Sequence, residues 1–153
     1  MGSPRRLPVQ IGAVEGVGAF LGESLALYRT LGFPRFVALV LLSLGAVALA
    51  EGDQVRAHDM LQESLTGMRD VGEKLGIHGV LDAIAHLAVT QGRAERAVRL
   101  AGAAERLRST SGTHSWPVVE RSRTRWLSTA RETLNETAYR AAAGCGPAVL
   151  RTS

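Results

Sequence analysis

A chain of 153 residues is of single-domain length and can bury a real core. Aromatics make up only 5% of it and the apolar content is carried by Leu, Ala and Val, a balance that favours helices over strands. Net charge is +4, yet lysine occurs only at Lys74, and so heavy a bias toward arginine reads as a codon-composition effect rather than a recognition surface. Cys145 is the single cysteine, which excludes an intramolecular disulfide and a cysteine-based zinc cluster and suits a reducing cytoplasm.

In chain order, residues 1–17 show no clean hydrophobic period, with Pro4, Pro8 and Gly2, Gly12 and Gly16 among them, and are expected to form a flexible arm or a degenerate helix. Gly16, Gly18 and Gly22 are not spaced as GxGxxG, and no GxxxxGK[ST] occurs, so nucleotide binding is not supported. Arg5-Arg6 ahead of a Gly- and Val-rich stretch hints at an export signal, but Glu15 breaks the apolar region. Residues 20–31 read as an outer helix whose inner partner is missing or disguised in the arm.

Gly32-Phe33-Pro34 turns the chain into residues 36–50, which are apolar around most of a helix and so predict a buried inner helix. Arg35 interrupts this run and its apolar core falls short of the roughly 20 residues that cross a bilayer, so no membrane association is expected. Gly52 suits the left-handed position that closes this helix, and Asp53 can accept a hydrogen bond from the N–H groups opening the next. Ala57, Met60, Leu61, Ser64, Leu65, Met68 and Val71 then follow at three- and four-residue spacing, the pattern of an amphipathic outer helix.

Residues 72–76 make the equivalent turn. A second inner helix over 77–91 leads through Gly92 to a second outer helix over 94–109. After a polar loop, Ser115 and Pro117 open a segment to about Thr133, with Val119, Trp126, Leu127 and Ala130 inward. Trp116 and Trp126 read as core or seam residues rather than base-stacking platforms. Asn135 caps a last short helix to Ala143, and residues 147–153 form a tail.

Shifted by 40 residues, the sequence aligns with itself. Gly52 falls on Gly92, Ala57 on Ala97, and Val40-Leu41 on Val80-Leu81. Glu23-Ser24-Leu25 falls on Glu63-Ser64-Leu65. Leu44-Gly45, Ala48, Ala57, Leu61 and Ser64 resemble the large and small positions of a tetratricopeptide repeat, and Ile84-Ala85, Ala88, Ala97 and Ala101 resemble a second copy. The chain departs from short tetratricopeptide units in lacking the proline that ends the outer helix, and Ala101 replaces a large residue. The 40-residue spacing, LGAVALAEGD, RAVRLAGAAERLRSTSG and ARETLNETAYRAAAGCG are similar to the C-terminal region of large bacterial LuxR-type and related ATP-dependent transcriptional regulators.

The resemblance implies an all-α fold: a right-handed stack of antiparallel helix pairs, a TPR-like α-solenoid, over residues 18–112, closed by an atypical C-terminal hairpin over 113–146. It also implies a groove lined by inner helices, with Leu39, Leu42, Ala46 and Leu49 from the first repeat and Gly79, Asp82, His86 and Val89 from the second. A peptide or amphipathic helix is expected there, Asp82 and His86 orienting it by hydrogen bonds and the leucines supplying buried area. The alternative is that the leucines pack on the chain's own N-terminal arm.

Chemistry is sparse. His78, Asp82 and His86 share one helical face, and imidazole and carboxylate are both metal ligands. The outer two nevertheless stand about 12 Å apart by helical rise, so no metal site is expected. No GxSxG elbow is present, Cys145 has no nearby histidine, and Asn135-Glu136-Thr137 reads as a helix cap rather than a glycosylation acceptor. Neither catalytic residues nor a cofactor are expected. Between Arg93 and Arg131, nine arginines face only Glu95, Glu105 and Glu120, a balance that admits nucleic acid as a rival partner. The spacing of Glu95 with Arg99 and of Glu105 with Arg108 matches ordinary pairs on a solvated face, which disfavours direct DNA binding. The expected role is thus a cytoplasmic, non-enzymatic interaction or signal-sensing module. Its partner would be a protein, a peptide or another domain of a parent regulator, and an uncovered apolar end would favour self-association. The chain is expected to be either a fragment or homologue of such a regulator's C-terminal region or a free-standing TPR adaptor.

Overall fold

The structure, a computed structural model, describes residues 3–112 and 117–144, with the side chains of residues 3–15, 75, 118 and 119 left aside. The described residues are all-α, with no strand among them. The helices are α1 (Ser3–Leu31), α2 (Pro34–Ala50), α3 (Gln54–Asp70), α4 (Lys74–Thr90), α5 (Ala94–Ser111), α6 (Pro117–Thr133) and α7 (Glu136–Ala143). None is long and apolar enough to cross a membrane among the described residues. Helix α1 runs through the stretch for which the sequence left arm and degenerate helix open. The tail, Trp116, Ser115 and Cys145 lie outside the described residues.

The helices are spaced by glycine. Gly32, Gly52, Gly72, Gly92 and Gly112 have φ of 75°, 79°, 69°, 75° and 69°, a left-handed backbone that a side chain at Cβ disfavours. After the first four, the next residue donates its N–H back over the end of the helix: Phe33 to the Tyr28 carbonyl, Asp53 to Ala48, Glu73 to Met68 and Arg93 to Ala88, at 2.8–3.0 Å. These bonds satisfy carbonyls that the helix end would otherwise leave open. Helices α2, α3 and α4 each run 17 residues and begin at positions 34, 54 and 74, with α5 at 94. One helix and one corner thus make a unit of 20 residues, half the shift at which the sequence aligns with itself. Asp53 caps α3 as expected, its Oδ1 accepting from the Arg56 N–H at 3.1 Å. The Asn135 side chain does the same for α7, from Ala138 at 2.7 Å.

The chain divides into two compact units, Met1–Gly67 and Met68–Ser153, the division falling near the end of α3. In the first, α2 packs on α1 through an aromatic corner in which Tyr28 stacks on Phe36 at 5.1 Å and Phe33 meets both rings edge-on. On α3, Ala57, Leu61, Ser64 and Leu65 are buried, and two small residues of α2 let the helices approach closely. A Cβ on Gly45 would stand 2.6 Å from Leu61, and one on Gly67 would stand 3.3 Å from the Ala38 methyl. Ser64, the buried polar residue of this face, donates to the Ala38 carbonyl at 2.6 Å.

In the second unit α4 packs on α5 along most of its length. Val80, Leu81, Ile84, Ala85, Leu87 and Ala88 are buried on α4, and the α5 side is built largely of alanine, which allows close approach. Helix α6 lies against both, and α7 against α5. The Ala88, Ala94, Ala97, Val98, Ala130 and Ala142 side chains share one cluster, closed by Val89, Leu134, Tyr139 and Ala143. Of the expected inward stripe of α6, Trp126 and Ala130 are buried and Leu127 is half-buried, while the Val119 side chain lies outside the described ones.

Candidate functional site

The implied groove residues fall in both units. On α2, Leu39, Leu42 and Leu49 are half-buried and Ala46 is exposed, so the row keeps an accessible apolar edge. On α4, Gly79, Asp82, His86 and Val89 are half-buried, and three of them are engaged by the chain itself. Val89 closes the alanine cluster. His86 stacks on the Trp126 ring of α6, centroids 5.8 Å apart and 7° from parallel. The Asp82 carboxylate accepts from Arg123 Nε of α6 at 3.1 Å.

Three acceptors converge on that guanidinium. Besides Asp82, the Ala101 carbonyl of α5 accepts from Arg123 Nη2 at 3.0 Å, and Glu105 lies 3.6 Å from Nη1. Glu105 also pairs with Arg108, which in turn reaches Glu120. The result is a ladder of alternating sign, Glu120, Arg108, Glu105, Arg123 and Asp82, running across α6, α5 and α4. Its inner rung is well buried, with 14% of the Arg123 side chain and 15% of Asp82 exposed. Such a pair contributes more to the choice of one packing arrangement than to net stability, because both charges surrender their hydration.

Burial sets the titration of the neighbouring groups. It raises the Asp82 carboxyl above its ordinary value, opposed by Arg123, Arg108 and His78. It lowers His86, and it lowers His78, for which nearby Asp82 works the other way and Arg108 adds to the lowering. The Asp82 and His86 face is therefore a packing and ion-pair surface for α6. Among the described residues no three or more His, Cys, Asp or Glu side chains gather as a metal would need.

Sequence spacing carried no sign of these partners. Asp82 and Arg123 are 41 residues apart, and each belongs to a helix whose local pattern is complete without the other. The local pairs were readable: Arg99 bonds Glu95 and Arg108 bonds Glu105. A second concavity, of about 470 Å³, also went unseen in the sequence; it opens at the start of α5 between Arg93, Glu95, Arg96, Arg99 and the end of α6 at Thr133 and Leu134. The fold and this surface define an all-α protein with 20-residue helix-and-corner units. No protein-family model, curated protein or solved structure matches the chain.

Proposed function

We propose that the chain is a non-enzymatic helical-repeat module that binds a protein or peptide or senses a signal, built as a right-handed TPR-like stack. By the resemblance of its sequence, it corresponds to the C-terminal region of a bacterial LuxR-type or related transcriptional regulator acting in the cytoplasm. The observation that carries this reading is the ladder of left-handed glycines at 32, 52, 72, 92 and 112. A strict 20-residue period of helix and corner is a signature of repeat proteins, which build extended binding surfaces from such units. Helix α6 occupies the Asp82 and His86 face, so the accessible part of the implied groove is the α2 row around Leu39, Leu42, Ala46 and Leu49.

The rival reading is a nucleic-acid binder using the arginines of the second half. Against it, Arg99, Arg108, Arg123 and Arg131 each lie within ion-pair distance of a carboxylate, which leaves less free charge for phosphates. One experiment separates the two. Helical peptides are selected from a random library against the full chain, and their affinity and that of a duplex DNA are followed with added salt. The groove reading expects peptide binding with a shallow salt dependence, weakened by Ala46→Arg, a change at an exposed position. DNA binding that falls steeply with salt, with no peptide selected, would refute it.

A further inference from the structure

Helix α1 repeats the face of α3 one 40-residue shift earlier, Glu23-Ser24-Leu25 standing where α3 has Glu63-Ser64-Leu65. On α3 that face is closed by α2: Leu61 lies against Gly45, Gly67 against Ala38, and Ser64 donates to the Ala38 carbonyl. The matching face of α1 is more open. Val17 is 49% exposed, Phe20 67% and Leu27 56%, against a buried Ala57 and half-buried Met60 and Gly67 at the matching positions of α3. Leu21 and Leu25, counterparts of the buried Leu61 and Leu65, are half-buried, and Leu31 is 55% exposed where Val71 is 38% exposed. Ser24, the counterpart of Ser64, turns back on its own helix and donates to the Phe20 carbonyl at 2.9 Å. The other side of α1 is taken, Tyr28 stacking on Phe36 and Gly18 lying near Val47.

We propose that this open face of α1 docks an apolar α-helix of a protein partner, lying antiparallel on α1 as α2 lies on α3. The α2–α3 contact defines the chemistry of the occupant. It carries small residues seven apart, where α2 has Ala38 and Gly45, and a backbone carbonyl placed to accept from Ser24. Opposite Leu27 it carries glycine, because α1 has a leucine where α3 has Gly67. A second copy of α1 does not fit this description, since its own stripe presents Phe20, Leu27 and Leu31 where small residues are needed. Four half-exposed apolar side chains of roughly 150–200 Å² each offer roughly 400 Å² on α1. With the partner's share the contact falls in the range of weak, transient interfaces.

The inference deepens the interaction-module reading and rests on it for the existence of a partner. Its test uses a labelled synthetic peptide of the α2 sequence, residues 34–50 with Ala38→Gly and flanking lysines for solubility. The peptide is titrated with the full chain by fluorescence anisotropy. Binding is expected in the tens of micromolar, as suits a weak interface. Phe20→Glu with Leu27→Glu should weaken it by about tenfold or more while leaving the helical circular dichroism unchanged. Should that pair disturb folding, Phe20→Gln alone should still weaken it measurably. Leu27→Gly should let the unmodified α2 peptide bind as well as the Ala38→Gly form. Absence of binding, or binding indifferent to Phe20 and Leu27, overturns the proposal. So does a dimer in sedimentation that the double variant dissolves, since a second copy would then be the occupant. Peptide binding sensitive to Ala46→Arg but not to Phe20→Glu would overturn this inference and leave the groove reading standing.

Discussion

Replacing Gly45 with alanine puts the α2–α3 contact to a quantitative test. The new Cβ would stand 2.6 Å from one Leu61 methyl and 2.7 Å from its Cγ, so turning the methyl aside does not clear it. Leu61 is 0% exposed and has no solvent-filled space to enter. Overpacking of this kind costs about 1–3 kcal/mol. Alanine in a helix interior returns about 1 kcal/mol relative to glycine, so the net expectation is a loss of about 0–2 kcal/mol. Gly22→Ala supplies the control: it lies inside α1 with nothing within 4 Å of its would-be Cβ, and should gain about 0.5–1 kcal/mol. Leu61→Ala alone should cost about 2–5 kcal/mol. Combined with Gly45→Ala, it should cost about 1–2 kcal/mol less than the sum, because the new methyl enters the space the leucine left. Urea unfolding followed by far-ultraviolet circular dichroism gives all four values. If Gly45→Ala stabilises the chain as much as Gly22→Ala does, the close approach of α2 and α3 does not exist.

Three further outcomes follow from the second unit. Asp82→Ala should destabilise by about 2–3 kcal/mol, at or below the usual cost of breaking a buried pair, because Arg123 keeps the Ala101 carbonyl and Glu105; Asp82→Leu with Arg123→Met should recover most of the loss in the same urea assay. Gly92→Ala, at φ 75° with open space around its Cβ, should cost about 1–2 kcal/mol through backbone strain alone, and Gly92→Asn less. Burial lowers His86 and His78 below the ordinary histidine value of 6.5, so near and below that pH the unfolded chain binds more protons than the folded one and stability falls on acidification. His86→Phe, which keeps a ring on Trp126, should flatten that loss in thermal melts taken across the histidine range. The raised Asp82 carboxyl acts with the opposite sign just above the ordinary carboxylate range, where the folded chain binds the extra proton.

How much of this was legible in the sequence depends on the range over which each signal acts. The corners were legible because a left-handed glycine followed by a helix start is a local event, settled by the glycine and the few residues on either side; Gly52 with Asp53 and Asn135 with Ala138 behave as their residue types require. Inward faces were legible for the same reason, since three- and four-residue spacing marks one side of a helix. What covers a face is a different question, and the periodic pattern does not contain the answer. Asp82 and His86 carry the pattern of residues facing a groove, and α6 meets them with Arg123 and Trp126, whose own spacing reads only as part of another amphipathic helix. The phrase Glu-Ser-Leu makes the point within one chain: Ser64 is buried and donates across to α2, while Ser24 donates to its own helix beside exposed Phe20. Identical local chemistry thus stands in a closed interface at one position and an open one at the other. The difference lies in which helix arrives opposite, and that is what the open copy on α1 tests.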